Sequence, residues 1–424
     1  MKINLIVLYS CTIIIFACDS KSEGDAGTME KNQALAFSES QIIDSASYWW
    51  ALTIADVTGD NLSDIVFIDN NSAGGYLGYY SGQEEPGIWT LSKIAEVPRT
   101  GGTFAAGDLE TGDIDGDGDI DVLAVKHTGE WDDAGAPAEL FWYENPGWQP
   151  HEIGDAPDAI KDLSLADFNN DGRLDLAALT FDEHTLNIYI QGDNGAFTQA
   201  QKITYTNLHE GMDVGDMNGD GFIDIIANGY YFENPGAPIT SDWTISSIAE
   251  KWHNQEGDWS ANGTKVFCCD ISGDGLPEVF ISHSERDGYP IAWYQYQNGT
   301  WTEHIITDTL PSCHTLQVYD MDLDGDMDVV AGINWARAIN LKIDRGDVYV
   351  FLNDGSNNVW TPMLVSDQGI YNGRVADFEG DGDFDLFRLP NHEAKEVFLH
   401  KNAVRGAEGE DQFEVIHALD KIIN

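Results

Sequence analysis

Seven times along the chain, a stretch of alternating acidic and small polar residues turns abruptly into an apolar, β-branched run. The densest case is YDMDLDGDMDVVAG (319–332), where aspartate fills every second position before the chain turns hydrophobic. The others are ADVTGDNLSDIVF (55–67), GDIDGDGDIDVLA (112–124), ADFNNDGRLDLAA (166–178), GDMNGDGFIDIIA (215–227), CDISGDGLPEVFI (269–281) and ADFEGDGDFDLFR (376–388). Their period of roughly 50 residues lies in the range of propellers and solenoids. Each apolar run predicts a buried strand. Downstream lie aromatic runs that end in turn residues, such as LFWYENPG (140–147), YYFENPG (230–236), IAWYQYQNG (291–299) and VYVFLNDG (348–355). A last strand follows, as in WTISSI or WTEHII, since Asn-Pro-Gly and Asn-Asp-Gly separate alternating runs.

Each unit thus predicts four antiparallel strands, A to D, and seven such units closing on an axis make an all-β, seven-bladed β-propeller. Two stretches compete to complete the last blade: FSESQII (37–43) and FEVIHAL (413–419) both read as a fourth strand. The acidic turn joins strands A and B.

The formal net charge of -52 excludes nucleic acid as a partner, because a phosphate backbone selects a basic footprint. With 42% hydrophobic and 11% aromatic residues the acid belongs to a folded protein, so part of it needs a counter-ion. Oxygen-bearing side chains recur at loop positions 1, 3, 5 and 9, usually with glycine at 6. Calcium takes six to eight hard oxygens, which alternate side chains of a tight loop can supply. The predicted ligands are Asp56, Thr58, Asp60 and Asp64 in loop 1; Asp113, Asp115, Asp117 and Asp121 in loop 2; Asp167, Asn169, Asp171 and Asp175 in loop 3. They continue as Asp216, Asn218, Asp220 and Asp224; Asp270, Ser272, Asp274 and Glu278; Asp320, Asp322, Asp324 and Asp328; and Asp377, Glu379, Asp381 and Asp385. Up to seven structural Ca2+ ions are expected. An EF-hand is excluded, since the closing acid stands at position 9 rather than 12 and a strand follows.

These repeats resemble the FG-GAP/VCBS family of calcium-binding propeller blades known from integrin α heads and secreted bacterial proteins. The N-terminal MKINLIVLYSCTIIIFAC resembles a bacterial lipoprotein signal. That predicts a signal peptide over 1–17, a lipid on Cys18, a polar tether over 18–34 and the propeller over 35–424. The expected product is exported and monomeric, held at the membrane only by its lipid, in the periplasm or at the cell surface. Cys268, Cys269 and Cys313 read as small buried hydrophobes.

If the acidic turns share one face, the opposite face holds the B–C and D–A loops, where function concentrates. Residues five to seven before each first aspartate ring the axis there and include Trp50, Asp108, Lys161, His209, Glu210, Lys265, His314 and Tyr371, with Arg374 deeper. His283, Glu285 and Arg286 stand beside them. The architecture is similar to seven-bladed propeller polysaccharide lyases and to the propeller of aldos-2-ulose dehydratase. That similarity implies β-elimination on an anionic sugar, which needs a base, an acid and a cation at the carboxylate. The candidates are His314 or His283 as base, Tyr371 as acid, and Arg374 with Lys265 at the carboxylate, with His209 a further catalytic candidate. Lys161, Arg286, Arg337, His127, Trp252, Trp259 and Trp335 are expected to bind substrate, the tryptophans by stacking. Converging histidines also admit an axial transition metal. The competing reading is a non-catalytic propeller that binds glycan or protein.

Overall fold

The computed structural model describes residues 35–38, 41–44, 49–69, 75–82, 89–129, 135–239, 242–392 and 394–404. The signal, the tether and the stretch 413–419 lie outside them. Seven four-stranded antiparallel sheets follow one another around an axis. The innermost strands A are Trp49–Ala55, Glu110–Gly112, Ile160–Ala166, Met212–Gly215, Thr264–Cys269, Cys313–Tyr319 and Arg374–Ala376.

Strands B carry the apolar runs and are buried on both faces, wholly so in Asp175–Thr180, Glu278–His283 and Asp328–Ile333. The outermost strands D alternate with solvent, as in Thr300–Thr307. The core therefore lies between blades; Phe141, Leu163 and Tyr189, for example, join one cluster across blades 2 and 3.

The ring is closed from the N-terminal side. Gln41–Asp44 pairs antiparallel with Val397–His400 and supplies strand D of blade 7, while Phe37 bridges Asn402. Of the two competing stretches, the N-terminal one does the pairing.

Side chains tie each blade to the next. Amides at the ends of strands C reach back to the loop of the preceding blade: Asn145 donates to the Val57 carbonyl, Gln191 to Ile114, Asn234 to Phe168 and Asn402 to Met321. Nearer the axis, carboxylates accept backbone N–H groups from the following blade: Asp108 from Leu163, Asp162 from Gly211, and Asp213 from Cys268. Arg374 closes the circuit by donating to the Leu52 carbonyl of blade 1.

The one α-helix among the described residues, Trp335–Leu341, lies in the B–C connection of blade 6 and is capped by the Asn334 side chain. A 3-10 turn, Glu250–Trp252, opens the long connection into blade 5. Cys268, Cys269 and Cys313 are free, and Cys268 and Cys313 are buried.

Candidate functional site

Each acidic loop is built around two carboxylates. The first aspartate folds the turn by accepting backbone N–H groups; Asp113 takes those of Gly116 and Gly118, and Asp216 those of Gly219, Asp220 and Gly221. The position-9 acid is buried in every blade and anchors the strands. Asp121 accepts from Ile114 and Asn145, and Asp328 from Met321 and Asn353. Burial pushes Asp121, Asp175, Asp224 and Asp328 up to about 7 even against these hydrogen bonds. A nearby cation would favour their charged form.

The donor set suits calcium best in two loops. One oxygen each from Asp113, Asp115 and Asp117 lie within 4.8 Å of one another, as do those of Asp320, Asp322 and Asp328. Carboxylates that converge so closely without a cation repel one another, and hard oxygens of this kind fit Ca2+.

At the axis, the strand-A positions build two stacked chambers. The mouth, of about 430 Å³, is lined by Trp50, Phe181, Trp259, Tyr371 and His392 around a polar floor. An inner chamber of about 230 Å³ lies beneath, lined by Asp108, Glu110, Asp162, Asp213 and Arg374. Lys161, Lys265 and His314 border both.

The floor is a charge ring centred on Glu210, which is 2% exposed. Its carboxylate lies 3.3 Å from Lys161 Nζ and 2.9 Å from Lys265 Nζ. Burial would raise its pKa, but the two ammonium groups outweigh burial and hold it well below the usual carboxylate range. Glu285 pairs with Arg337 and behaves oppositely: burial and the Glu210 charge push it up to about 7. His314 Nε2 stands 3.6 Å from both carboxylates. Burial, helped by Lys265, keeps that imidazole neutral. The Tyr371 ring lies on it at 4.1 Å, and burial followed by the Glu210 charge keeps the phenol protonated. Arg337 also covers the indole of Trp259 at 4.2 Å, and that indole is 51% exposed at the rim.

Six of the predicted residues therefore meet at the mouth: Lys161, Lys265, His314, Arg337, Tyr371 and Trp259. The others have structural work. His283 uses both ring nitrogens, Nδ1 accepting from the Glu285 and Arg286 backbone and Nε2 facing Gln255 Oε1 at 2.9 Å. It has no lone pair left to act as a base. His127 Nε2 accepts the Ile160 N–H and joins blades 2 and 3. His209 is buried against Phe181, with ring centroids 4.6 Å apart. Arg286 fastens the blade-5 loop through Ser260, the Glu256 carbonyl and Asp258.

Trp252 is fully buried and gives its indole N–H to the Tyr294 hydroxyl, so it presents no stacking face. Trp335 starts the helix and packs beside Gly346 and Gly369, where a Cβ would lie 2.8 and 2.6 Å from it. Arg374 belongs to the inner chamber and is spent on the Gly373 and Leu52 carbonyls. The cations facing the mouth are Lys161, Lys265 and Arg337. Glu210 and Glu285 fell on the predicted ring without being given chemistry; their place beside Lys161 and Arg286 in the register was the available signal.

The fold and its recurring loops define a repeat-built β-propeller with a polar axial site. Residues 113–178, 167–227 and 270–331 match the FG-GAP-like repeat. Together with seven blades on one axis, these three repeats support the FG-GAP β-propeller family. No curated protein sequence matches it. Among solved structures, BBS1N from a complex with ARL6DN is similar at 11% identity over 86% of this chain and 96% of that one, with a TM-score of 0.52. Saccharomyces cerevisiae Sqt1 is similar at 11% identity over 87% and 100%, TM-score 0.49. The V. cholerae biofilm matrix protein Bap1 is similar at 12% over 87% and 91%, TM-score 0.48. Of these, BBS1N is a likeness of fold and nothing more.

Proposed function

We propose that the mouth binds an anionic sugar and moves protons on it, as a carbon–oxygen lyase working by β-elimination does. The observation that carries this reading is the pairing of a neutral imidazole, His314, with a protonated phenol, Tyr371, their rings tilted by 32° with centroids 4.1 Å apart, beside three cations. In such a reaction Lys161, Lys265 and Arg337 offset the charge of the sugar carboxylate, which makes the adjacent C–H more acidic. His314 takes that proton, and Tyr371 gives one to the departing oxygen. The 3.6 Å separations at Nε2 exceed hydrogen-bond length. Trp50 and Trp259 offer faces to a sugar ring. A cavity of about 430 Å³ suits a ligand of this size.

Calcium in the acidic loops belongs to the same proposal, as do export and a lipid anchor at Cys18. The donor clusters of loops 2 and 6 support the metal, and the IFAC sequence supports the anchor.

The test is ultraviolet absorbance of an unsaturated uronate after incubating the calcium-loaded protein with uronate-containing polysaccharides and oligosaccharides. Product that is lost in both His314→Gln and Tyr371→Phe is expected. Absence of product across the panel refutes the elimination. One observation favours a second reading, non-catalytic glycan binding: all three cations already have carboxylate partners. Retained calorimetric binding without product would select it.

A further inference from the structure

Loop 7 differs from the other acidic loops in what faces it. In six blades a backbone N–H at the end of strand C caps the position-9 carboxylate: those of Gly82, Asn145, Gln191, Asn234, Asn353 and Asn402. The residue just before each cap is Ser81, Glu144, Ile190, Glu233, Leu352 and Lys401. Two of these are acids and three are neutral. Blade 7 alone places a cation there.

That cation reaches the loop. Lys401 Nζ lies 2.9 Å from Glu379 Oε2, an ion pair by distance without hydrogen-bond geometry, and each side chain is only 13% exposed. Glu379 is the position-3 residue, and loop 7 is the one loop with glutamate at that position. The other six carry Thr58, Asp115, Asn169, Asn218, Ser272 and Asp322, which are a methylene shorter or more. The ammonium therefore sits against the position-3 acid of the cage. Arg173 of loop 3 makes a looser contact of a different kind. It bonds Asp171 from outside while also reaching the 98% exposed Asp193.

We infer that Lys401 is the resident cation of loop 7, taking the place calcium takes in loops 2 and 6. A fixed ammonium at one acid and a divalent ion bound by the same acids exclude each other by charge and by space. The blade that closes the ring, where Ser38 N–H also bonds the Lys401 carbonyl, then needs no metal. This rests on the calcium reading of the other loops.

The experiment is calcium content per folded chain, by equilibrium dialysis and elemental analysis of the whole protein. Lys401→Met is expected to add one calcium. Asp377→Asn in the otherwise native chain is expected to leave the count unchanged, and Asp320→Asn to lower it by one. A loss of one calcium in Asp377→Asn overturns the inference, as does an unchanged count in Lys401→Met. A native chain without calcium, insensitive to Asp320→Asn, instead overturns the calcium reading beneath it.

Discussion

Replacing Glu210 with glutamine keeps the shape of the ring floor and removes its central charge. In the native protein that carboxylate accepts from two ammonium groups at 3.3 and 2.9 Å and is 2% exposed. Removing one partner of a buried ion pair costs about 3–5 kcal/mol. Here the lysines keep 16% and 21% side-chain exposure toward the chambers, and Asp162 still attracts Lys265. The cost therefore falls at the lower end, about 3 kcal/mol, read as a lower urea midpoint at pH 7. The pH dependence fixes the cause. The folded pKa of Glu210 is depressed, so its stabilisation is complete above the unfolded value, about 4.3, and is lost as pH falls through the lower folded value. Native and Glu210→Gln curves should run parallel from neutral pH to about 5 and converge only in stronger acid. A loss below about 1 kcal/mol at pH 7, or curves that converge already near pH 6, would refute a ring held by charge.

Glu285 gives the opposite limb: its folded pKa is raised to about 7, so its contribution is full below about 4.3 and fades as pH rises through 7. Glu285→Gln should flatten that decline in urea midpoints measured from pH 5 to 8. Trp252→Ala should cost about 3–5 kcal/mol in thermal or urea unfolding, because a fully buried indole and its bond to Tyr294 are lost. Deleting residues 35–44 leaves Val397–His400 as an uncovered edge. The expected result is a lower melting temperature with concentration-dependent association in light scattering.

The blade count and the axial ring were legible because both follow from counting. Seven acidic turns fix the phase of each strand A, and stepping back from the first aspartate reaches Lys161, Lys265, His314 and Tyr371. The misplacements share one cause: a histidine or tryptophan in the right loop says nothing about its partner. His283 satisfies Gln255 and two backbone groups, His127 joins two blades, and Trp252 fills a gap between sheets. Sequence spacing does not contain those tertiary bonds. The closing strand was ambiguous for a similar reason. Residues 37–43 and 413–419 alternate alike, and only the pairing with Val397–His400 separates them. Glu210 was placed on the ring but given no role, because an acid in so acidic a chain looks ordinary until two lysines are found on it.

The short strand that seals the ring also decides how the molecule carries mechanical load. Tension on the chain ahead of residue 35 passes first into the Phe37–Asn402 bridge and then into Gln41–Asp44, whose ladder to Val397–His400 spans four residues. Beyond that ladder, the Asn402 amide hands the load to blade 6 at Met321. A pull from that end therefore tugs at the seam of the wheel before it reaches any complete blade. Rupture of that closure would bare the edge of Val397–His400 while Arg374 and the shared core still hold blade 7 against blade 1.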